Sequence, residues 1–171
     1  MTGQREASKP KRLFILEDHE VEDLYGLPRF TLDERQRSFT LTEAEQAVCH
    51  QFRSLPSQVS FILQLGYFKA RHLFFAFTFA QVADDVAAVL ARHFPADSPV
   101  TSVAPTPPTL AHQRTVILEL FGYRLCHAAE RQHLLDRALR LARLSTKPIY
   151  LFRELFHYLA DHRIVAPAYT V

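Results

Sequence analysis

The run Phe61-Ile-Leu-Gln-Leu-Gly-Tyr-Phe-Lys-Ala-Arg-His-Leu-Phe-Phe-Ala-Phe77 constrains this chain more than any other stretch. A bilayer span needs about 20 mostly apolar residues, and Gln64, Lys69, Arg71 and His72 interrupt this window. A surface helix needs a polar side, yet Phe61, Ile62, Leu63, Leu65, Tyr67 and Phe68 cover every side of a helical wheel. The segment therefore predicts a central helix over about 57–69 that other helices must wrap. The aromatic cluster Phe74, Phe75, Phe77 and Phe79 alternates like a strand over 75–79. A lone strand would have no partner in this chain, so extended packing against the core is expected instead.

The remaining residues suffice to do the wrapping. A chain of 171 residues suits one large domain or two small ones, and 48% hydrophobic with 22% charged residues excludes global disorder. Residues 1–12 (MTGQREASKPKR) are basic and without periodicity, and are expected to form a disordered leader rather than a signal peptide. Cys49 and Cys126 form no CxxC pair, which suggests reduced thiols and a cytoplasmic location.

The pattern is all-α. A first helix is expected over about 17–25, closed by Gly26 and Pro28, and a short helical turn over about 33–39. Thr42-Glu-Ala-Glu45 reads as a capping box opening a helix to about Arg53, stopped before Pro56. Another helix covers about 84–94. Pro95, Pro99, Pro105, Pro107 and Pro108 then make 95–108 a stiff linker. It divides the chain into helical subdomains at 13–94 and 109–171. The second reads as a three-helix, helix-turn-helix-like unit: Thr109 to Phe121 with Gly122 as a left-handed cap, about 128–144, and 148–161 opened by Pro148.

Catalytic and metal chemistry find little support in these residues. His157 and His162 lie five apart, His127 and His133 six apart, so neither pair shares a helical face as zinc ligands four apart would. Asp84-Asp85 suits a helix start, where the dipole favours acids, better than a magnesium site. Four glycines are too few and wrongly spaced for a phosphate loop, and no nucleophile elbow is present. Neither a cofactor nor an active site is expected.

Charge is more informative in its distribution than in its total of +2. Residues 13–45 set Arg29, Arg35 and Arg37 against nine acids, whereas residues 110–171 carry nine cations against five acids. In the helix over 128–144, Leu134, Leu135, Ala138, Leu141 and Ala142 define an apolar face. Arg137, Arg140 and Arg143 are read as lying roughly opposite, with Lys147 beyond the helix end, a ridge suited to following phosphates. A solvated helix face would use the same residues.

Several motifs carry a resemblance. LQLGYFKAR followed by Phe74-Phe75, Tyr25-Gly-Leu-Pro-Arg-Phe30, Phe39-Thr-Leu-Thr-Glu43, Ile117-Leu-Glu-Leu-Phe-Gly-Tyr-Arg124, Lys147-Pro-Ile-Tyr150 and Arg163-Ile-Val-Ala-Pro-Ala-Tyr169 resemble the N-terminal domain of Tn3-family transposases over about 13–170. Leu110 stands where that family tends to have arginine, and Ala166-Pro-Ala-Tyr169 lacks its glycine. The resemblance implies a non-enzymatic, DNA-binding domain that recognises the transposon's terminal inverted repeats. The Asp-Asp-Glu residues that cut and join DNA would belong to a later domain, absent from this chain. The expected partners are double-stranded DNA and the rest of a transposase or its dimer, with no membrane. Candidate DNA contacts are Lys69, Arg71, Arg114, Arg124, Arg137, Arg140, Arg143 and Lys147. A protein-interaction or regulatory module of the transposition complex, working through the acidic N-terminal helices, is the alternative.

Overall fold

The computed structural model describes residues 16–95 and 105–167. The basic leader, most of the proline-rich stretch and the Tyr169 end of the last motif lie outside the described residues. Among those described, eight α-helices and one two-stranded sheet occur in the order α1 (Asp18–Tyr25), α2 (Leu32–Ser38), α3 (Glu43–Cys49), α4 (Leu55–Arg71), α5 (Ala83–His93), α6 (Pro107–Phe121), β1 (Arg124–Leu125), α7 (Ala128–Ala142), α8 (Pro148–Asp161) and β2 (Ile164–Val165). No helix among the described residues is long and apolar enough to cross a membrane.

The all-round apolar wheel has the expected result. Ten consecutive residues of α4, Val59 to Phe68, are buried. Helices α2, α3, α5 and α6 all pack on α4. Each large apolar side chain so enclosed contributes about 1.5–3 kcal/mol. The phenylalanines after α4 run without regular structure and lie against the core. Phe74 stacks on Phe68 with ring centroids 5.0 Å apart, and Phe77 meets Tyr67 edge-on at 5.3 Å.

Local chemistry sets most helix starts. Thr42 accepts from the Glu45 amide at 3.3 Å while Glu45 Oε2 accepts from the Thr42 amide at 2.8 Å, completing the expected capping box. Thr31 and Glu34 repeat that device at α2. Three boundaries differ from expectation. Helix α3 stops at Cys49, short of Arg53. Helix α4 starts at Leu55, because Ser54 caps it and Pro56 is tolerated in the first turn, where no amide donor is needed. Helix α6 likewise starts at Pro107, with Thr106 rather than Thr109 at the cap position. Gly122 closes α6 in the left-handed region (φ 63°), as its position suggested.

Helix α6 crosses the division that the sequence places at the prolines. Its Gln113 and Ile117 are fully buried, and Gln113 bonds to Ser57, Ser60 and Gln64 of α4. It therefore sits with the N-terminal helices, and α7 and α8 pair as a two-helix hairpin. Two further features tie that hairpin to the rest. β1 and β2 pair in parallel, Arg124 opposite Ile164, a ladder too short for any sequence periodicity to announce. On the other side, Tyr25 of α1 meets Phe156 edge-on at 5.2 Å and Asp23 pairs with Arg153 at 3.1 Å.

Two histidines are expected to make this packing acid-sensitive. His93 Nε2 donates to the Phe39 carbonyl at 2.7 Å, linking α5 to the end of α2, since a carbonyl oxygen can only accept. His72 stacks on Tyr123 at 5.1 Å. Burial holds both imidazoles below the ordinary histidine range, with Phe39's hydrogen bond opposing the shift at His93. The folded state then binds fewer protons than the unfolded chain once pH falls below the unfolded value of about 6.5, so stability present above that pH is lost on acidification through the lower folded values. Thermal unfolding followed between pH 7.5 and 5 is expected to show a falling Tm, with a shallower fall in His93→Gln. A flat profile would contradict this acid sensitivity.

Candidate nucleic-acid interface

The cations proposed from sequence divide into two groups once their surroundings are known. Lys69 Nζ is held internally, 2.8 Å from Glu45 Oε2 and 2.9 Å from the Thr40 carbonyl oxygen. The capping glutamate of α3 thus also anchors the end of α4. Arg71 donates to the Asp23 carbonyl at 3.2 Å. Arg114 lies over the Phe74 ring, 5.6 Å from its centroid, and its Nε is buried without a hydrogen-bond partner. Arg124 is exposed but pairs with Glu130 at 3.2 Å.

Helix α7 corrects the expected arginine ridge. Arg137 follows Leu134 by three residues and precedes Leu141 by four, a spacing that shares their face. All three are half-buried, and the Arg137 guanidinium rests 5.0 Å from the Tyr158 ring centroid of α8. Its work is internal packing and a cation–π contact, not an outward ridge. Leu135, expected to face inward, is instead 53% exposed. One hairpin partner covers only one side of a helix, so the wide apolar face read from the sequence splits into a covered edge and an open one.

Three candidates are both open to solvent and without a partner. Arg140, Arg143 and Lys147 are exposed and take part in no ion pair with another described residue. They flank the turn between α7 and α8. The positive end of the α8 dipole lies on the same turn, after Lys147 at the cap position. The arrangement can neutralise phosphates; its short, single-sign run offers no discrimination among bases.

Beside these cations stand apolar groups that sequence reasoning did not single out. Leu139 and Leu144 are 57% and 81% exposed, and Tyr150 follows at the start of α8. No residue of α7 is fully buried. The one signal in the sequence was the excess of leucines in α7 over what one face can cover.

Among the described residues no group of three or more His, Cys, Asp or Glu side chains converges as metal ligands would. Burial raises the Cys49 thiol to about 11, so it is a poor nucleophile at neutral pH. Residues 15–171 match the model of a family described as a domain of unknown function (DUF4158). No curated protein and no solved structure matches the chain.

Proposed function

The chain belongs to the DUF4158 family, and for this member we propose a DNA-binding role: the N-terminal domain of a Tn3-family transposase, recognising the terminal inverted repeats during transposition. The observation that carries the DNA contact is the cluster of Arg140, Arg143 and Lys147, exposed and free of ion pairs with described residues at the α7–α8 turn. The link to transposition rests on the ordered motifs from Tyr25-Gly-Leu-Pro-Arg-Phe30 to Arg163-Ile-Val-Ala-Pro-Ala. The domain acts by binding, not by catalysis. Arg71 and Arg124, both at the surface, can add contacts by exchanging their internal partners for phosphates; Lys69, Arg114 and Arg137 shape the fold that presents them.

Replacing Arg140, Arg143 and Lys147 together with alanine is expected to weaken binding to inverted-repeat and random duplexes alike. It should also lower the slope of log affinity against log salt by up to about three, roughly one for each phosphate no longer neutralised. Fluorescence anisotropy at two salt concentrations checks this. An unchanged slope would remove the turn from the interface, and negligible binding of the unmodified chain to both duplexes would end the DNA reading.

A second reading is favoured by the open leucines. Leu135, Leu139 and Leu144 suit a protein surface better than a phosphate backbone, consistent with a module that docks within the transposition complex. Leu139→Glu separates the two readings. It should block such docking while altering duplex affinity only through one added negative charge.

A further inference from the structure

Helix α7 has a second apolar seam, turned away from its covered side. The covered side carries Leu134, Arg137 and Leu141, all half-buried, with Arg137 over Tyr158 of α8. At about 100° per residue, Leu135, Leu139 and Ala142 fall within about 60° of one another, and roughly 130° round the helix from that side. Leu135 and Leu139 are more than half exposed, and Ala142 is exposed too. Ala128, seven residues before Leu135 and also exposed, carries the seam back to the start of α7. Steps of seven, four and three residues are those of a helix that packs lengthwise on another helix. No such helix covers the seam among the described residues. The sequence would make α6 the third helix of this unit, but α6 packs on α4 through Gln113 instead.

Charge selects what can lie there. Arg131 borders the seam on one side and Arg143 on the other, with Arg140 further round on the Arg143 side. All three are exposed, and none is in an ion pair with another described residue. The one acid of the open face, Asp136, accepts a hydrogen bond from Gln132 Nε2 at 3.1 Å. An acidic helix would neutralise both borders while its apolar stripe covers the leucines. A second copy of α7 would bring three arginines towards three, with one acid on each side to offset them. A phosphate backbone gains from the arginines but leaves Leu135 and Leu139 uncovered.

We propose that this seam docks an acidic amphipathic helix of a protein partner. Leucine-like side chains three and four residues apart in that helix pack on Leu135, Leu139 and Ala142, and its glutamates or aspartates lie opposite Arg131 and Arg143. This assignment rests on the docking reading of the open leucines and adds the partner's shape and charge. Helix α7 has 15 residues, so the contact spans about 22 Å, or two heptads. Contact over so short a length is weak and reversible, and its rim of exposed ion pairs loosens as salt rises.

The probe is a labelled synthetic peptide of about three heptads, with leucines three and four apart and glutamates flanking them. It is titrated with the full chain and followed by fluorescence anisotropy. A Kd on the order of 10 μM is expected at low salt, at least about tenfold tighter than for a peptide with lysines in place of the glutamates, or serines in place of the leucines. Leu135→Ser with Leu139→Ser, both at exposed positions and with the fold checked by circular dichroism, should weaken binding at least about tenfold. Arg131→Gln with Arg143→Gln should erase the preference for the acidic peptide. Leu32→Ser, at the exposed leucine of α2, should change nothing. Equal binding of the acidic and lysine peptides, both dependent on Leu139, would overturn the acidic partner and leave the docking reading standing. Binding by neither peptide, or binding indifferent to Leu135 and Leu139, would end both. Self-association lost in Leu139→Ser, seen by sedimentation velocity, would overturn the proposal by giving the seam to a second copy.

Discussion

Asp85→Ala is expected to be among the most damaging single substitutions in this protein, costing about 3–5 kcal/mol. Asp85 lies in the first turn of α5, and its two oxygens serve two different elements: Arg35 Nε donates to Oδ1 at 2.6 Å and Tyr67 Oη donates to Oδ2 at 2.6 Å. The Arg35 and Asp85 side chains are only 18% and 9% exposed, so removing either one leaves the other charge largely desolvated and unpaired. Burial first, and the Asp85 bond second, raise Tyr67 far above the ordinary tyrosine range, so its hydroxyl stays protonated and remains the donor. Removing the carboxylate strands a guanidinium and a hydroxyl at once. For a chain of this size the loss corresponds to a Tm lower by roughly 10 °C. Asp84→Ala, at the exposed neighbour in the same first turn, should change stability by no more than about 0.5 kcal/mol. Denaturant titration of the pair checks both numbers, and equal costs at the two positions would refute the special role of Asp85. Pairing Asp85→Leu with Arg35→Met should recover much of the loss, because a packed apolar pair leaves no buried charge unpaired.

The second large effect is expected at Gly66. This glycine lies in the middle of the buried face of α4, and a Cβ there would overlap Cδ1 and Cε1 of Phe39 and approach the Ser38 carbonyl oxygen at 3.2 Å. Phe39 cannot retreat: it is 1% exposed and lies between Phe30 and Tyr67, with ring centroids at 5.5 and 6.0 Å. Alanine favours a helix interior over glycine by about 1 kcal/mol. Overpacking a closed core costs about 1–3 kcal/mol and more where backbone must shift, so the clash wins. Gly66→Ala is therefore expected to destabilise by about 2 kcal/mol, the reverse of what helix propensity alone predicts. Adding Phe39→Leu to Gly66→Ala should cost less than Phe39→Leu does in the unmodified chain, because the smaller side chain vacates the space that Cβ needs. A Gly66→Ala protein as stable as the original would show that α2 is not pressed against α4 here.

Both predictions turn on contacts that periodicity does not reveal. Asp84 and Asp85 look alike as acids at a helix start, yet Asp85 finds its partners 50 and 18 residues away. Lys69 and Arg71 look alike as basic residues at the end of α4, but Lys69 meets Glu45 and is drawn into the structure. Arg137 shows the opposite case, because its spacing from Leu134 and Leu141 already placed it on the inward side. The leucine count was legible too, but which leucines α8 would cover was not.

Near neighbours in the chain determined the helices, their caps and the identity of the central helix. Hydrogen bonds four residues apart, capping side chains three apart and an all-round apolar wheel are local properties, readable wherever the residues stand. Tertiary structure decided that α6 joins α4, that Gln64 and Gln113 meet across 49 residues, and that only Arg140, Arg143 and Lys147 of the proposed ridge and its extension remain open. Those outcomes depend on which side chains from distant segments reach one another first in a close-packed interior. A charged side chain is open to a partner only when the fold has not already given it one.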